Sequence, residues 1–172
     1  MSAIMFLLQY GYIPIYTLLM FIERLCRTLN EASVRYAIVG GYAVALHGAV
    51  RGTLDVDIVI NWTGAALARV ERALLSLGLQ SRLPVNAAEV FHFRDEYVAN
   101  RNLIAWNFYD PANAANQVDV IISFDLKGKK RKRISARWGD LYILAIDDLI
   151  EMKRQSGRQQ DLADVQALEK LR

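Results

Sequence analysis

Two carboxylates one residue apart, Asp55 and Asp57, alternate with the apolar residues Leu54, Val56, Ile58 and Ile60. That alternation has the period of a β-strand, in which residues i and i+2 share a face about 6.6–7 Å apart. Two acids held that close repel each other, and burial adds a desolvation cost, so the pair calls for a positive partner. A divalent cation bound to phosphate oxygens is one such partner. A solvated acidic face on an edge strand is the other reading open to a bare Asp-x-Asp. Asp119 lies inside a strongly apolar stretch at 117–122. A lone carboxylate in such a strand is costly. It needs either backbone amides at a strand end or a metal shared with Asp55 and Asp57. Gly40 and Gly41 follow the short apolar run 36–39. A strand-to-helix turn without side chains lets backbone amides and a helix N-terminus come close to phosphate. It is not a Walker loop, because no Gly-Lys-Ser/Thr follows.

The elements that must position these residues follow from periodicity and punctuation. The run 36–39 reads as a buried strand, 42–50 as a short helix and 54–61 as the strand carrying Asp55 and Asp57. Leu67, Val70, Leu74 and Leu77 have helical spacing over 65–77, and Gly78 is placed to end that helix. Residues 80–101 show no clear period. Strands are expected at 103–109 and 117–124, separated by a loop at 110–113. A basic turn at 127–133 leads into a return strand near 134–138, and two helices at 147–155 and 159–171 break at Gly157. Ahead of all this, Leu18, Leu19, Ile22, Leu25 and Leu29 share one face of an expected helix at 15–30. The fold class is therefore α/β (α+β): a mixed β-sheet core flanked by helices, with an N-terminal helix and a C-terminal helical tail. The expected divisions are 1–33, 34–145 and 146–172 within one compact domain.

Composition narrows the chemistry. The chain has 172 residues and 53% hydrophobic residues, which excludes disorder and allows one substantial core. A single cysteine, Cys26, excludes an intrachain disulfide framework, and only His47 and His92 are available as imidazole ligands. Metal chemistry would have to rest on carboxylates, which suit magnesium or manganese. Residues 127–133 hold six of the 21 Lys and Arg; without them 15 basic residues face 18 acidic ones, a balance of −3. The positive charge is thus local. Residues 1–22 carry no charged side chain, which raises a membrane helix. Gln9, Gly11, Pro14 and three tyrosines interrupt the stretch, so an extension and a soluble helix are the expectation. Without a recognisable export signal or paired cysteines, the expected location is the cytoplasm. The apolar N-terminus gives a homodimer a surface to bury.

Gly40-Gly41, then Arg51-Gly-Thr53, Asp55-Val-Asp57 and the later Asp119 together resemble the signature of the polymerase-β-like nucleotidyltransferase superfamily. The Gly-Gly form resembles small bacterial members related to the abortive-infection toxin group, as does the tail with Asp148, Lys153, Arg158, Asp161 and Asp164. The resemblance implies transfer of a nucleoside monophosphate from an NTP to an acceptor hydroxyl with release of pyrophosphate. Asp55, Asp57 and Asp119 would be catalytic and would hold Mg2+ or Mn2+. Gly40, Gly41, Arg51, Thr53 and Lys153 would contact the nucleotide. The implied setting is toxin–antitoxin or phage defence, with RNA such as tRNA as acceptor. An antitoxin-like, nucleotide-binding protein partner with lost catalysis, and an antibiotic-type small-molecule transferase, are the alternatives.

Several residues keep two readings at this stage. Arg51 could pair with the carboxylates or reach phosphate. Lys153 could be a helix-surface residue or a phosphate contact. Arg158 and Asp161 have the i, i+3 spacing of a simple helix pair. His47 reads as a packed or capping residue. Lys129, Lys130, Arg131 and Lys132 either form a solvated turn or grip the phosphates of a nucleic-acid acceptor.

Overall fold

The computed structural model describes residues 15–101 and 103–172, with side chains from Leu19 onward except Arg101. The expected extension at 1–13 lies outside the described residues. Seven strands form one sheet in the order β3-β4-β5-β2-β1-β7-β6. They are β1 (Tyr36–Ile38), β2 (Val56–Ile60), β3 (Gln80–Ser81), β4 (Ala105–Asp110), β5 (Asn113–Ile121), β6 (Arg131–Ala136) and β7 (Gly139–Leu144). The helices are α1 (Ile15–Glu31), α2 (Gly40–His47), α3 (Gly64–Ser76), α4 (Ala87–His92), α5 (Arg94–Arg101), α6 (Ile146–Ser156) and α7 (Gln159–Glu169). β2 pairs β5, and β1 pairs β7, in parallel; every other pairing is antiparallel.

One face of the central strands is wholly apolar and packs into the core. Tyr36, Ile38, Val56, Ile58, Ile60, Val118 and Val120 are all fully buried. α1 packs Phe21, Ile22, Leu25, Cys26 and Leu29 into the same core. Leu19, expected on that face, is 57% exposed: it lies at the edge of the buried stripe, about 60° from Ile22 and about 120° from Leu25 around the helix. No described helix is long and apolar enough to cross a membrane.

Local signals set the element ends. Thr63 Oγ1 accepts from Ala66 N at 3.1 Å and caps α3, and Gly157 in the left-handed conformation (φ 64°) separates α6 from α7. Asn86 and Glu89 form a reciprocal capping box that starts α4, inside the region whose sequence showed no period. Three expectations need correction. β5 begins at Asn113, so the β4–β5 turn is tighter than the expected loop. The glycine pair is the first turn of α2 and not a turn ahead of it. The basic run does not form a hairpin turn: its second half is edge strand β6, and the turn lies at Arg137 and Trp138, followed by a strand, β7, that the sequence reading passed over. Lysines on an edge strand also discourage pairing with another chain.

Candidate active site

Parallel pairing of β2 with β5 sets Asp57 directly beside Asp119, and antiparallel pairing of β4 with β5 sets Asn107 beside Asp119. Registered neighbours in a sheet share a face, so these three polar side chains form one row across it. Asn107 Nδ2 donates to Asp119 Oδ1 at 2.8 Å. Sequence reasoning missed Asn107; the signal was one amide between Trp106 and Phe108 in an otherwise apolar strand. Asp55 stands one residue before β2 and is exposed. The three acids do not form a ready cage: among the described residues no group of three His, Cys, Asp or Glu is arranged to hold a metal ion. Two carboxylates are juxtaposed and the third lies at the rim.

The glycine pair meets this row directly. Gly40 has φ 63°, and a Cβ there would lie 1.8 Å from Asp57 Oδ2. A Cβ on Gly41 would lie 2.7 Å from Thr53 Cβ. Only a chain without side chains at both positions lets the first turn of α2 rest on Asp57 and Thr53. Val39 N also donates to Asp57 O at 2.9 Å, tying the helix start to β2. The positive end of the α2 dipole therefore faces the acidic row.

Electrostatics record the crowding. Burial, then Asp119, then Asp55 push the Asp57 carboxyl up to about 7, against the weaker pull of Lys153 and Arg158. Burial and Asp55 also raise Asp119, opposed by its Asn107 hydrogen bond. The Tyr42 hydroxyl is buried and has no hydrogen-bond partner among the described residues; burial and Asp55 raise its pKa. A cavity of about 240 Å³ opens on the row, lined by Asp57, Asn107, Asp119, Ile104 and Arg158 among others.

The remaining sequence candidates separate. Lys153 is 5% exposed and bonds Asp161 Oδ1 at 3.0 Å and Asp164 Oδ2 at 2.6 Å. Its expected phosphate is replaced by two carboxylates of α7. Arg51 Nε lies 3.3 Å from Asp164 Oδ1, at an angle outside hydrogen-bond geometry, and its Nη1 donates to Gly52 O; it pairs with neither Asp55 nor Asp57. Arg158 and Asp161 make the i, i+3 pair, with Nε donating at 2.6 Å. Burial works to raise Asp161, but hydrogen bonds from Arg158, Lys153 and Ser156 outweigh it and hold the carboxyl at about 2. Of the basic quartet, Lys129 pairs with Asp148 and Glu151, and Arg131 donates to Tyr36 O and stacks on Tyr142. Lys130 and Lys132 are exposed. His47 Nε2 lies 2.9 Å from Leu144 O, in keeping with a packed residue.

No protein-family profile and no curated protein sequence matches this chain. Solved structures do. An antigenic nucleotidyltransferase-like protein from Paracoccidioides brasiliensis superposes with a TM-score of 0.55 at 18% identity, over 87% of this chain and 73% of that one. The antibiotic-resistance factor ANT(2'')-Ia in solution superposes with a TM-score of 0.57 at 11% identity, over 89% and 83% of the two chains. The chain has the nucleotidyltransferase fold. ANT(2'')-Ia in complex with adenylyl-2''-tobramycin matches as well, with a TM-score of 0.55 at 11% identity over 90% and 92%. Identities this low establish the nucleotidyltransferase architecture and leave the site residues to be argued from this chain's own geometry.

Proposed function

We propose that the protein transfers a nucleoside monophosphate from a nucleoside triphosphate to an acceptor hydroxyl and releases pyrophosphate. One observation carries this reading: Asp57 and Asp119 are registered neighbours on adjacent parallel strands, with the glycine start of α2 pressed against Asp57. Asp57 and Asp119 fit magnesium or manganese, because such an ion takes one or two carboxylates and completes its shell with substrate phosphates and water. That also accounts for the lack of a three-residue cage, and Asp55 at the rim is the nearest further oxygen donor. When bound, the cation offsets the charge of the two acids and of the departing phosphates.

The chain's own residues do the rest. Gly40 and Gly41 present backbone amides to the β- and γ-phosphates, in place of the side chains that would block them. Asn107 holds one oxygen of Asp119 and so orients the other toward the acceptor. In the reaction the acceptor oxygen bonds to the α-phosphorus, its proton passes to a carboxylate oxygen of Asp119, and the bond from the α-phosphorus to the bridging oxygen breaks. The electron pair of that bond leaves with pyrophosphate.

We place the acceptor hydroxyl in RNA, on the strength of the exposed Lys130 and Lys132 at the sheet edge. The likeness to ANT(2'')-Ia favours a second reading, a small-molecule acceptor. Incubation with magnesium and each labelled NTP, alongside total RNA and an aminoglycoside panel, decides between them. Label in RNA is the expected result. Label only in an aminoglycoside selects the second reading, and no labelled product with any NTP removes both.

A further inference from the structure

A second cavity of about 470 Å³ adjoins the acidic one and shares Ile104 and Arg158 with it. Ser123, Phe124, Met152, Gln155 and Ser156 complete its lining. Its place relative to the glycine turn is set by the parallel pairing of Asp57 with Asp119. Gly41 abuts Thr53, four residues before Asp57, whereas Ser123 comes four residues after Asp119. Thr53 and Ser123 therefore lie on opposite sides of the carboxylate row along the strand direction. Displacement at phosphorus puts the attacking and leaving oxygens roughly in line. If pyrophosphate leaves toward the glycine turn, the attacking hydroxyl arrives from the side of Ser123.

We propose that this second cavity is the acceptor site and that it takes a hydroxyl compound bearing a phosphate ester, bound through Arg158. The proposal rests on the nucleotidyl-transfer reading above. The lining offers two hydroxyls, one amide, an aromatic face and one charged group, the Arg158 guanidinium, with no carboxylate among them. The acids on its α6 and α7 side are paired: Asp148 and Glu151 hold Lys129, whose ammonium lies 5.7 Å from the centre of the Phe124 ring, and Asp161 holds Arg158. The one charged group in this lining is thus a cation, which suits a phosphate ester. Arg158 is fixed for that role, with Nε and one Nη on Asp161 at 2.6 and 3.4 Å, while its side chain stays 69% exposed. Phe124 under Lys129 also joins the cavity to the basic segment, so a polynucleotide end in the cavity can continue along Lys130.

Calorimetric titration of the whole protein with magnesium present tests this, using four probes: the dinucleotide UpU, ribose 5-phosphate, an aminoglycoside and ATP. UpU should bind and the aminoglycoside should not; binding by ribose 5-phosphate as tightly as UpU would identify a small phosphate ester as the acceptor. Ser123→Trp, a change at an exposed position outside the ion pairs, should fill the cavity and weaken UpU by about tenfold or more, leaving ATP within about twofold. Arg158→Lys should weaken UpU less than Arg158→Gln, because charge is kept and the fork is lost. The proposal is overturned if neither phosphate ester binds, if Ser123→Trp weakens ATP and spares UpU, or if it changes neither. UpU binding that Ser123→Trp abolishes, in a protein that never transfers a nucleotide, keeps the cavity assignment and removes the transfer reading.

Discussion

Five aspartates lie in two neighbouring clusters and have opposite fates. Asp161 and Asp164 meet three cations, Lys153, Arg158 and Arg51, and the Asp161 carboxyl is held at about 2. Asp55, Asp57 and Asp119 meet one another, and the Asp57 carboxyl is pushed up to about 7. The acids of the first cluster are buried, and Asp57 and Asp119 of the second are partly buried. In one, the chain supplies its own countercharge, and the result is a brace joining α6, α7 and the loop before β2. In the other, the protein leaves the charge unmatched in a cavity, which is what a site for an external cation requires. Arg158 belongs to both, bonded to Asp161 and lining the acidic cavity. A carboxylate in this chain is therefore read by its partners and not by its residue type.

The sharpest way to break this contrast is to remove one charge from each cluster. Asp57→Asn should lower the rate of nucleotide transfer by on the order of 10³-fold, since a lost metal ligand costs several kcal/mol at the transition state. The fold should hold, and the melting temperature without metal should stay level or rise, because the change relieves repulsion. Wild-type transfer by this variant at saturating NTP would remove Asp57 from the chemistry. Lys153→Met acts in the opposite sense. It strands Asp161 and Asp164 in the interior, and urea unfolding should show a loss of about 3–5 kcal/mol. A loss below about 1 kcal/mol would mean that Lys153 is not the keystone of the brace.

Gly40→Ala should cost about 1–2 kcal/mol for the left-handed backbone alone. It should also move Asp57, whose Oδ2 occupies the space of the new methyl group. The contrast therefore predicts a KM for NTP that rises along with the loss of stability, and unchanged NTP kinetics would detach the glycine turn from the nucleotide.

The smallest effect is on pH. The folded state holds a proton on Asp57 up to about 7, whereas an ordinary carboxylate releases it near 3.8. Between those values the folded chain binds more protons than the unfolded one, so this group's contribution to stability falls as pH rises and levels off above the window. Asp161, held at about 2, loses its contribution only below the ordinary carboxylate range, so the two windows do not overlap. Melting curves without metal should fall from pH 5 to pH 8 by more in the wild type than in Asp57→Asn. Magnesium should stabilise the wild type more at pH 8 than at pH 5. A pH slope that Asp57→Asn leaves unchanged would assign it to other groups.

Local pattern alone determined much of this molecule. Alternation marked β2 as a strand, helical spacing marked α1 and α3, Gly157 marked the break between the last helices, and the acids and glycines at 40, 41, 55, 57 and 119 stood out by type. These signals are carried by neighbours within a few residues, so they can be read without the fold. Pairing across the sheet could not be read that way. That Asp119 lies beside Asp57, that Asn107 joins them, and that Lys153 turns inward to Asp161 and Asp164 depend on which strands and helices meet. The basic run shows the same limit: its charges suggested a hairpin turn, while β7 captured its second half as an edge strand and Tyr36, Asp148 and Glu151 captured Arg131 and Lys129. A side chain's type is local information, but its partner is chosen by register and packing between residues far apart in the chain, and that choice belongs to the tertiary structure.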